Sequence, residues 1–270
     1  MSKIRIASRN FIFLTALIAL LITFSGYSIV EAKGGGGGGH ADKGHEAPHW
    51  AYSGDDGPSH WGSLSADFSA CKDGKSQSPI NIARAKPAGL GAITFNYKTS
   101  KLAILNNGHT IQADYDSGSS ISVDGKSYNL LQFHFHGPSE HTVDGVHSRM
   151  EMHLVHKSED GALAVVGVMI NEGAHNANFD NAWNNLPVHS GDHKDVGVVM
   201  KAVELLPESK KYTTYSGSLT TPPCSEGVTW LVLNDSVEMS KSQIEAFGEI
   251  IHANNRPVQP LNRRPLKAAK

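Results

Sequence analysis

His134, His136 and His153 are spaced so that three imidazoles can meet at one point. Residues 130–157 read LLQFHFHGPSEHTVDGVHSRMEMHLVHK. LLQFHFH and MEMHLVH alternate in polarity, and GPSEHTVDG between them supplies turn residues, so the segment predicts two strands and a connection. Side chains at i, i+2 and i+4 of a strand share a face. Gln132, His134 and His136 therefore point one way, and Phe133 and Phe135 the other. Glu151, His153 and Val155 share a face of the second strand. If the two polar faces coincide, the imidazoles converge, and Gln132 and Glu151 are in place to accept from their second nitrogens. Three neutral nitrogen ligands leave a fourth tetrahedral position for water, which marks a catalytic rather than a structural zinc. Iron and manganese remain open on this pattern.

Fifteen histidines occur in the 270 residues, so His-x-His pairs also arise by chance, and a lone buried histidine is usually core. The parity, the third histidine and the two companions raise this cluster above that background. His134-x-His136-x-x-x-Glu140 also resembles the first motif of cupins, in which two histidines and a glutamate bind iron or manganese. The cupin Pro-x-Gly-x-x-His segment is missing, since Ser148, Arg149, Met150, Glu151 and Met152 precede His153.

The elements that must position these residues follow from the rest of the chain. Residues 1–32 combine Lys3, Arg5 and Arg9, an apolar run from Phe11 to Phe24 and small residues before Ala32, the pattern of a secretory signal peptide cleaved after Ala32. The apolar run is short for a membrane span of about 20 residues, so no anchor is expected after cleavage. Residues 33–47, KGGGGGGHADKGHEA, read as a flexible Gly/His-rich linker, with His40, His45 and His49 taken as solvated. The formal charge of −2 becomes −4 once Lys3, Arg5, Arg9 and Glu31 leave, which argues against nucleic acid as a partner. Cys71 and Cys224 both fall in the exported part and are expected to form one disulfide. Closing a loop of about 150 residues is worth roughly 5 kcal/mol in the chain-entropy model.

From Ala92 to Val123, the short alternating segments ITFNY, KLAILNN, HTIQADY and SSISVDG indicate a meandering, largely antiparallel sheet. ALAVVGVMI (162–170) and Trp230-Leu231-Val232-Leu233 read as strands covered on both faces. One helix is expected around Phe179, Ala182, Trp183 and Leu186. A second starts at Ser240, with Gln243 in capping-box position and Ile244, Phe247 and Ile251 inward. No helix is signalled before Ile82. Residues 48–270 form one domain.

HWAYSG, GPSHW, QSPINI, ILNNGHTIQAD, QFHFHGPSEHTVDG, MEMHLVH, YSGSLTTPPCSEGVTW and NNRPVQPLNRR, in this order, resemble the α-class carbonic anhydrases. The resemblance implies an α+β, β-dominated single domain: a large, mostly antiparallel twisted central sheet of about ten strands with short peripheral helices. It implies one Zn2+ per chain, held by His134, His136 and His153. Gln132 and Glu151 would accept from His134 and His153, and the backbone carbonyl of Asn254 from His136. Thr220 would accept a hydrogen bond from zinc-bound hydroxide and donate to Glu140, with Thr221 lining the same cavity. Val155, Val165, Leu219 and Trp230 resemble the apolar wall that receives carbon dioxide. His109 resembles the proton shuttle, with Tyr52, Asn106 and Asn107 around it at the rim. After His136 the chain runs directly through Gly137-Pro138 to Ser139-Glu140, a shorter tract than the familiar one and similar to compact bacterial members.

The implied activity is reversible hydration of CO2 to bicarbonate and a proton, in the periplasm or outside the cell. Zinc lowers the pKa of its water to about 7, a value known for carbonic anhydrase itself. Hydroxide then attacks CO2, and His109 exports the proton. A homodimer is compatible with this reading. The rival is a non-enzymatic binding domain of the same family, which arises by loss of a zinc histidine; all three are present here.

Overall fold

A computed structural model of the chain describes residues 48–269. The expected signal peptide and linker lie outside the described residues. Thirteen strands form one twisted sheet, whose main path runs His193–Met200, Ser100–Asn106, Ile111–Asp114, Lys126–His136, Met150–Lys157, Leu163–Glu172, Glu226–Leu233, Tyr212–Ser218, Lys267–Ala269, Lys86–Ala88. The expectation of about ten mostly antiparallel strands holds for this path, and three further strands pair off it. The sheet is mixed. Leu163–Glu172 runs parallel to both Glu226–Leu233 and Val237–Met239, and Lys267–Ala269 runs parallel to Lys86–Ala88. The parallel neighbour of Leu163–Glu172 is reached only after more than fifty residues, so no local hairpin signal announces it.

Each face of the sheet buries its own core. Phe133, Phe135, Met152, Leu154 and Val166 pack in the larger cluster with Trp183 and Phe247. Val165, Trp230, Val232 and Tyr215 form the smaller one, with Val155 and Leu219 against it. This division follows the alternation of the strands, and Ala164 to Ile170 is buried throughout, as a doubly covered strand requires. Ser240 caps the helix Lys241–Ile250 in the expected capping box with Gln243, and Ile244 and Phe247 are buried. The other expected helix is shorter than its pattern suggested: a 3-10 turn Ala177–Phe179 leads into Asp180–Trp183. Among the described residues before Ile82 the helical turns span only three or four residues, Trp61–Leu64 and Ala70–Asp73 included. Pieces that short have no periodicity to read and are held by tertiary packing. Cys71 and Cys224 form the expected disulfide. No helix among the described residues is long and apolar enough to cross a membrane.

His156 is fully buried on the core side, beyond a register shift after Val155, and its Nε2 lies 2.7 Å from the Tyr97 hydroxyl. Burial pushes its pKa down to about 3. The unfolded chain, with an ordinary histidine, therefore binds a proton below about pH 6.5 that the folded chain refuses, so stability falls as pH drops from 6.5 toward 3. The full loss from this group is on the order of 3–5 kcal/mol. His156→Leu should lower stability at pH 8, because the Tyr97 hydroxyl loses its partner, yet show a smaller further loss between pH 6.5 and 4. Urea unfolding at the two pH values checks this; an unchanged pH slope would exclude His156 as the source.

Candidate metal centre

Strand pairing decides the geometry of the three histidines. His134 faces His153 across the Lys126–His136 and Met150–Lys157 pair, and His136 faces Glu151. The imidazoles of His134, His136 and His153 point to a common place, with one ligand atom from each lying within 4.8 Å of the others. Each ring is turned by its second nitrogen. His134 Nδ1 donates to Gln132 Oε1 at 2.8 Å, and His136 Nδ1 donates to the Asn254 carbonyl at 2.8 Å. His153 Nε2 lies 2.9 Å from Glu151 Oε1. These are the three partners expected from sequence. They leave His134 Nε2, His136 Nε2 and His153 Nδ1 facing the shared point.

The donor set fits a zinc ion. His136 Nε2 is buried without any hydrogen-bond partner, which a fold does not leave uncompensated without reason. The other nitrogens around the point belong to imidazoles, the preferred neutral ligands of zinc. Burial lowers the pKa of His134 well below the usual range, helped by the neighbouring His136 and His153, and burial also lowers that of His136. Burial opposes the charged form of His153 too, but the charge and proximity of Glu151 outweigh it and raise its pKa. Burial would raise the Glu151 pKa, yet His141 and His153 hold this carboxyl well below the usual carboxylate range.

Glu151 does more than the sequence indicated. Its Oε2 accepts from the backbone N–H groups of Glu140 at 2.9 Å and His141 at 2.8 Å, and its Oε1 accepts from His141 Nδ1 at 2.8 Å. His141 Nε2 lies 2.6 Å from the Tyr215 hydroxyl, itself 2.8 Å from Ser78 Oγ. His141, Tyr215 and Ser78 are functional neighbours that the sequence reading missed. All three fall inside the segments QSPINI, QFHFHGPSEHTVDG and YSGSLTTPPCSEGVTW that carry the family resemblance, but none was assigned a role. Gln112 was missed as well: it pairs with His134 from the strand on the other side, and its Nε2 donates to Asp114 Oδ1 at 2.7 Å. The alternation of IQAD could have placed it on that face.

Glu140 accepts from the Arg256 backbone N–H at 2.9 Å through Oε1. Its Oε2 has no hydrogen-bond partner, so the expected donation from Thr220 is not formed. That oxygen lies 3.6 Å from His136 Nε2 and 3.8 Å from His153 Nδ1. Thr220 is buried and Thr221 half-buried in the turn after Ser218.

Val155, Val165 and Trp230 stand in register on three adjacent strands, and Leu219 packs on the same cluster. The four residues expected to form an apolar wall thus share one surface. Half-buried His109 stacks on Trp50, with ring centroids 3.7 Å apart and planes 8° apart, and Tyr52 meets it edge-on at 6.5 Å. Burial, and then the nearby His49, lowers the His109 pKa. Burial and the Glu140 charge hold the Tyr52 phenol well above its usual value. Asn106 and Asn107 brace the turn that bears His109: Asn106 Oδ1 accepts from Gly108 N, and Asn107 Oδ1 from His109 N and Thr110 N.

A family model described as eukaryotic-type carbonic anhydrase matches residues 56–270. The chain belongs to the α-carbonic anhydrase family. A carbonic anhydrase of Pectobacterium atrosepticum is 46% identical over 220 residues, covering 81% of this chain and 90% of that protein. One from Neisseria gonorrhoeae is 44% identical over 218 residues, covering 80% and 86%. The α-carbonic anhydrase of Thermovibrio ammonificans, solved with the inhibitor sulfanilamide, superposes with a TM-score of 0.81 at 45% identity, over 82% of this chain and all of that one. The enzyme class is that of carbonic anhydrase, whose reaction is hydration of CO2.

Gly167 pairs with His153, and a Cβ there would come within 3.0 Å of Glu151 Oε1. Gly167→Ala should displace the carboxylate that orients His153 and weaken zinc binding about 10-fold, the usual scale for disturbing a ligand's supporting hydrogen bond. Competition with a chelator measures this. Unchanged affinity would show that Glu151 tolerates the methyl.

Proposed function

We propose that His134, His136 and His153 hold one zinc ion and that the chain catalyses reversible hydration of CO2 to bicarbonate and a proton. The observation that carries this reading is the convergence of three imidazoles, with His134 and His136 each hydrogen-bonded through the opposite nitrogen and His153 Nε2 lying 2.9 Å from the Glu151 carboxylate. When bound, zinc acts as a Lewis acid and makes hydroxide available from water near neutral pH.

The chain's own residues do the rest. Val155, Val165, Leu219 and Trp230 offer CO2 an apolar surface beside the histidines, where a nonpolar gas displaces water at little cost. Thr220 accepts from the attacking hydroxide and so directs a lone pair at the substrate carbon. For that it must donate elsewhere, and Glu140 Oε2, buried without a donor, is the acceptor available to it. Thr221 lines the same cavity. Arg256 N–H, held on Glu140 Oε1, keeps the carboxylate from rotating. His109 takes the proton outward through water. Its lowered pKa favours the neutral, proton-accepting form, and its stacking on Trp50 places it half in solvent. Tyr52, its pKa raised, stays protonated nearby and does not compete for the proton. Export to the periplasm or beyond, after removal of residues 1–32, is part of the same proposal, as is binding of sulfanilamide at the zinc.

His134→Ala should abolish both zinc retention and CO2 hydration, read as metal content by emission spectroscopy and turnover by a pH-indicator assay. A zinc-free variant with full activity would refute the reading. His109→Ala should lower turnover about 10- to 100-fold in dilute buffer, the range of general acid–base assistance, and recover in part with added imidazole. Equal turnover of variant and wild type in dilute buffer would remove His109 from proton transfer.

A further inference from the structure

Gln77 lies outside the histidine cluster, yet its side chain ties together two groups that the proposed mechanism needs in a fixed relation. It is 4% exposed, and both polar atoms of its amide are engaged. Oε1 accepts from Arg256 Nη1 at 2.9 Å, and Nε2 donates to the Cys224 carbonyl at 3.0 Å and to Glu226 Oε1 at 3.1 Å. Chemistry sets the orientation of the amide. Turned over, it would point its N–H groups at a guanidinium and its oxygen at a carbonyl and a carboxylate.

One side of this amide leads to Glu140. The Arg256 backbone N–H donates to Glu140 Oε1 at 2.9 Å, and the guanidinium of the same arginine also donates to the Ser78 and Cys71 carbonyls. The other side leads to Thr220. Leu219 N donates to the Ser225 carbonyl at 3.0 Å and Cys224 N to the Thr221 carbonyl at 2.8 Å, so the turn around Thr220 is closed on itself and moves with Cys224 and Glu226. The Cys71–Cys224 disulfide anchors this turn through a side chain, whereas Gln77 holds the Cys224 carbonyl itself. Glu226 Oε1 also accepts from Ser76 N at 2.6 Å, a second point at which the turn meets the Gln77 segment.

Gly74 marks the same place independently. Its φ of −60° and ψ of 146° are open to any residue, so the backbone does not call for glycine. A Cβ there would instead overlap Gln77 Nε2 and lie 2.6 Å from both Glu226 Oε1 and the Ala70 carbonyl oxygen. The missing side chain leaves room for the glutamine amide and its partner.

We propose that Gln77 is a positioning residue that sets Thr220 relative to Glu140, through Arg256 on one side and through Cys224 and Glu226 on the other. The proposal rests on the reading of Thr220 as the group that directs the attacking hydroxide. None of the Gln77 side-chain bonds reaches a histidine of the cluster or Thr220, so it acts at one remove. Misplacing a reacting group by about 1 Å costs on the order of 100-fold in rate, so even a partial shift of the turn is measurable.

The test is a coupling measurement on zinc-loaded full-length protein, with zinc content and thermal midpoint recorded for every variant. Gln77→Met, similar in size but without the amide, should lower kcat/KM for CO2 hydration about 10-fold and retain its zinc. Added imidazole should not restore it, since the proton step is not the one disturbed. In a Thr220→Ala background the same substitution should change kcat/KM less than about 2-fold, because nothing is left to position. Gln77→Glu keeps an acceptor for Arg256 but sets a carboxylate against the Cys224 carbonyl and Glu226, and it should match Gln77→Met. Gly74→Ala should act in the same direction by displacing the amide, and these two variants decide the matter if the methionine variant does not fold. Hydrogen exchange at the Leu219 and Cys224 amides should quicken in each. Equal loss with and without Thr220 would overturn the proposal, as would unchanged kcat/KM or unchanged exchange in a zinc-retaining variant, or loss of zinc from all three. Full kcat/KM in Thr220→Ala alone would refute the role of Thr220 itself, a failure seen separately, and would leave Gln77 nothing to position.

Discussion

A carboxylate buried beyond the reach of water is tolerated only when its oxygens are fully engaged, and Glu151 meets that condition with groups that all belong to the site. Two backbone N–H groups, the His141 ring and the His153 ring surround it. The desolvation penalty of a lone ion would be several kcal/mol, so none of these partners is free to move independently. The consequence is structural and chemical at once. The same charge that turns His153 also fixes the backbone of Glu140, and it raises the proton affinity of a ligand whose burial alone would lower it. Gly167 is the cost of this arrangement in the neighbouring strand, because a side chain there would occupy the carboxylate's space.

The sheet places incompatible chemistries two residues apart. One lateral row runs Gln112, His134, His153, Gly167 and Val232 across five strands. The next on the same face runs Gln132, Val155, Val165, Trp230 and Tyr215. Rows two residues apart on a strand are separated by about 6.6 Å. A polar row able to hold a cation therefore lies alongside an apolar row able to hold a gas, and strand register alone maintains their spacing. The opposite face carries Phe133, Phe135, Met152 and Leu154, whose burial in the larger core stops the strands from slipping.

Local periodicity explains what was legible in the sequence. Alternation set the parity of Gln132, His134 and His136 against Phe133 and Phe135, and the capping residues set the start of the helix at Lys241. Partners supplied by distant backbone left no such trace. The carbonyl behind His136 belongs to a residue 118 positions away, and a carbonyl has no side-chain identity to read, so only the family resemblance pointed to Asn254. His141, Tyr215 and Ser78 stayed invisible because their contact depends on register between segments 74 and 137 residues apart. The parallel pairings of Leu163–Glu172 escaped for the same reason. The Thr220-to-Glu140 pairing came from the family resemblance alone; Glu140 Oε1 is taken by the Arg256 N–H, and its Oε2 carries no donor.

Asn254 shows how the metal position and the rim are kept at a fixed separation. Its backbone carbonyl orients His136, and its side-chain oxygen accepts from Gly137 N. Its amide donates to the Phe135 carbonyl and to the His109 carbonyl, each at 3.0 Å. One residue therefore ties the end of the ligand strand to the turn that bears the rim histidine. With its oxygen and its amide group all engaged, Asn254 cannot rotate to follow one neighbour without releasing another. The His109 side chain can then change its stacking on Trp50 while its backbone stays referenced to His136. The proton relay proposed for His109 would need a constant distance between proton source and acceptor more than a rigid acceptor ring, and Asn254 holds the two backbones at such a distance.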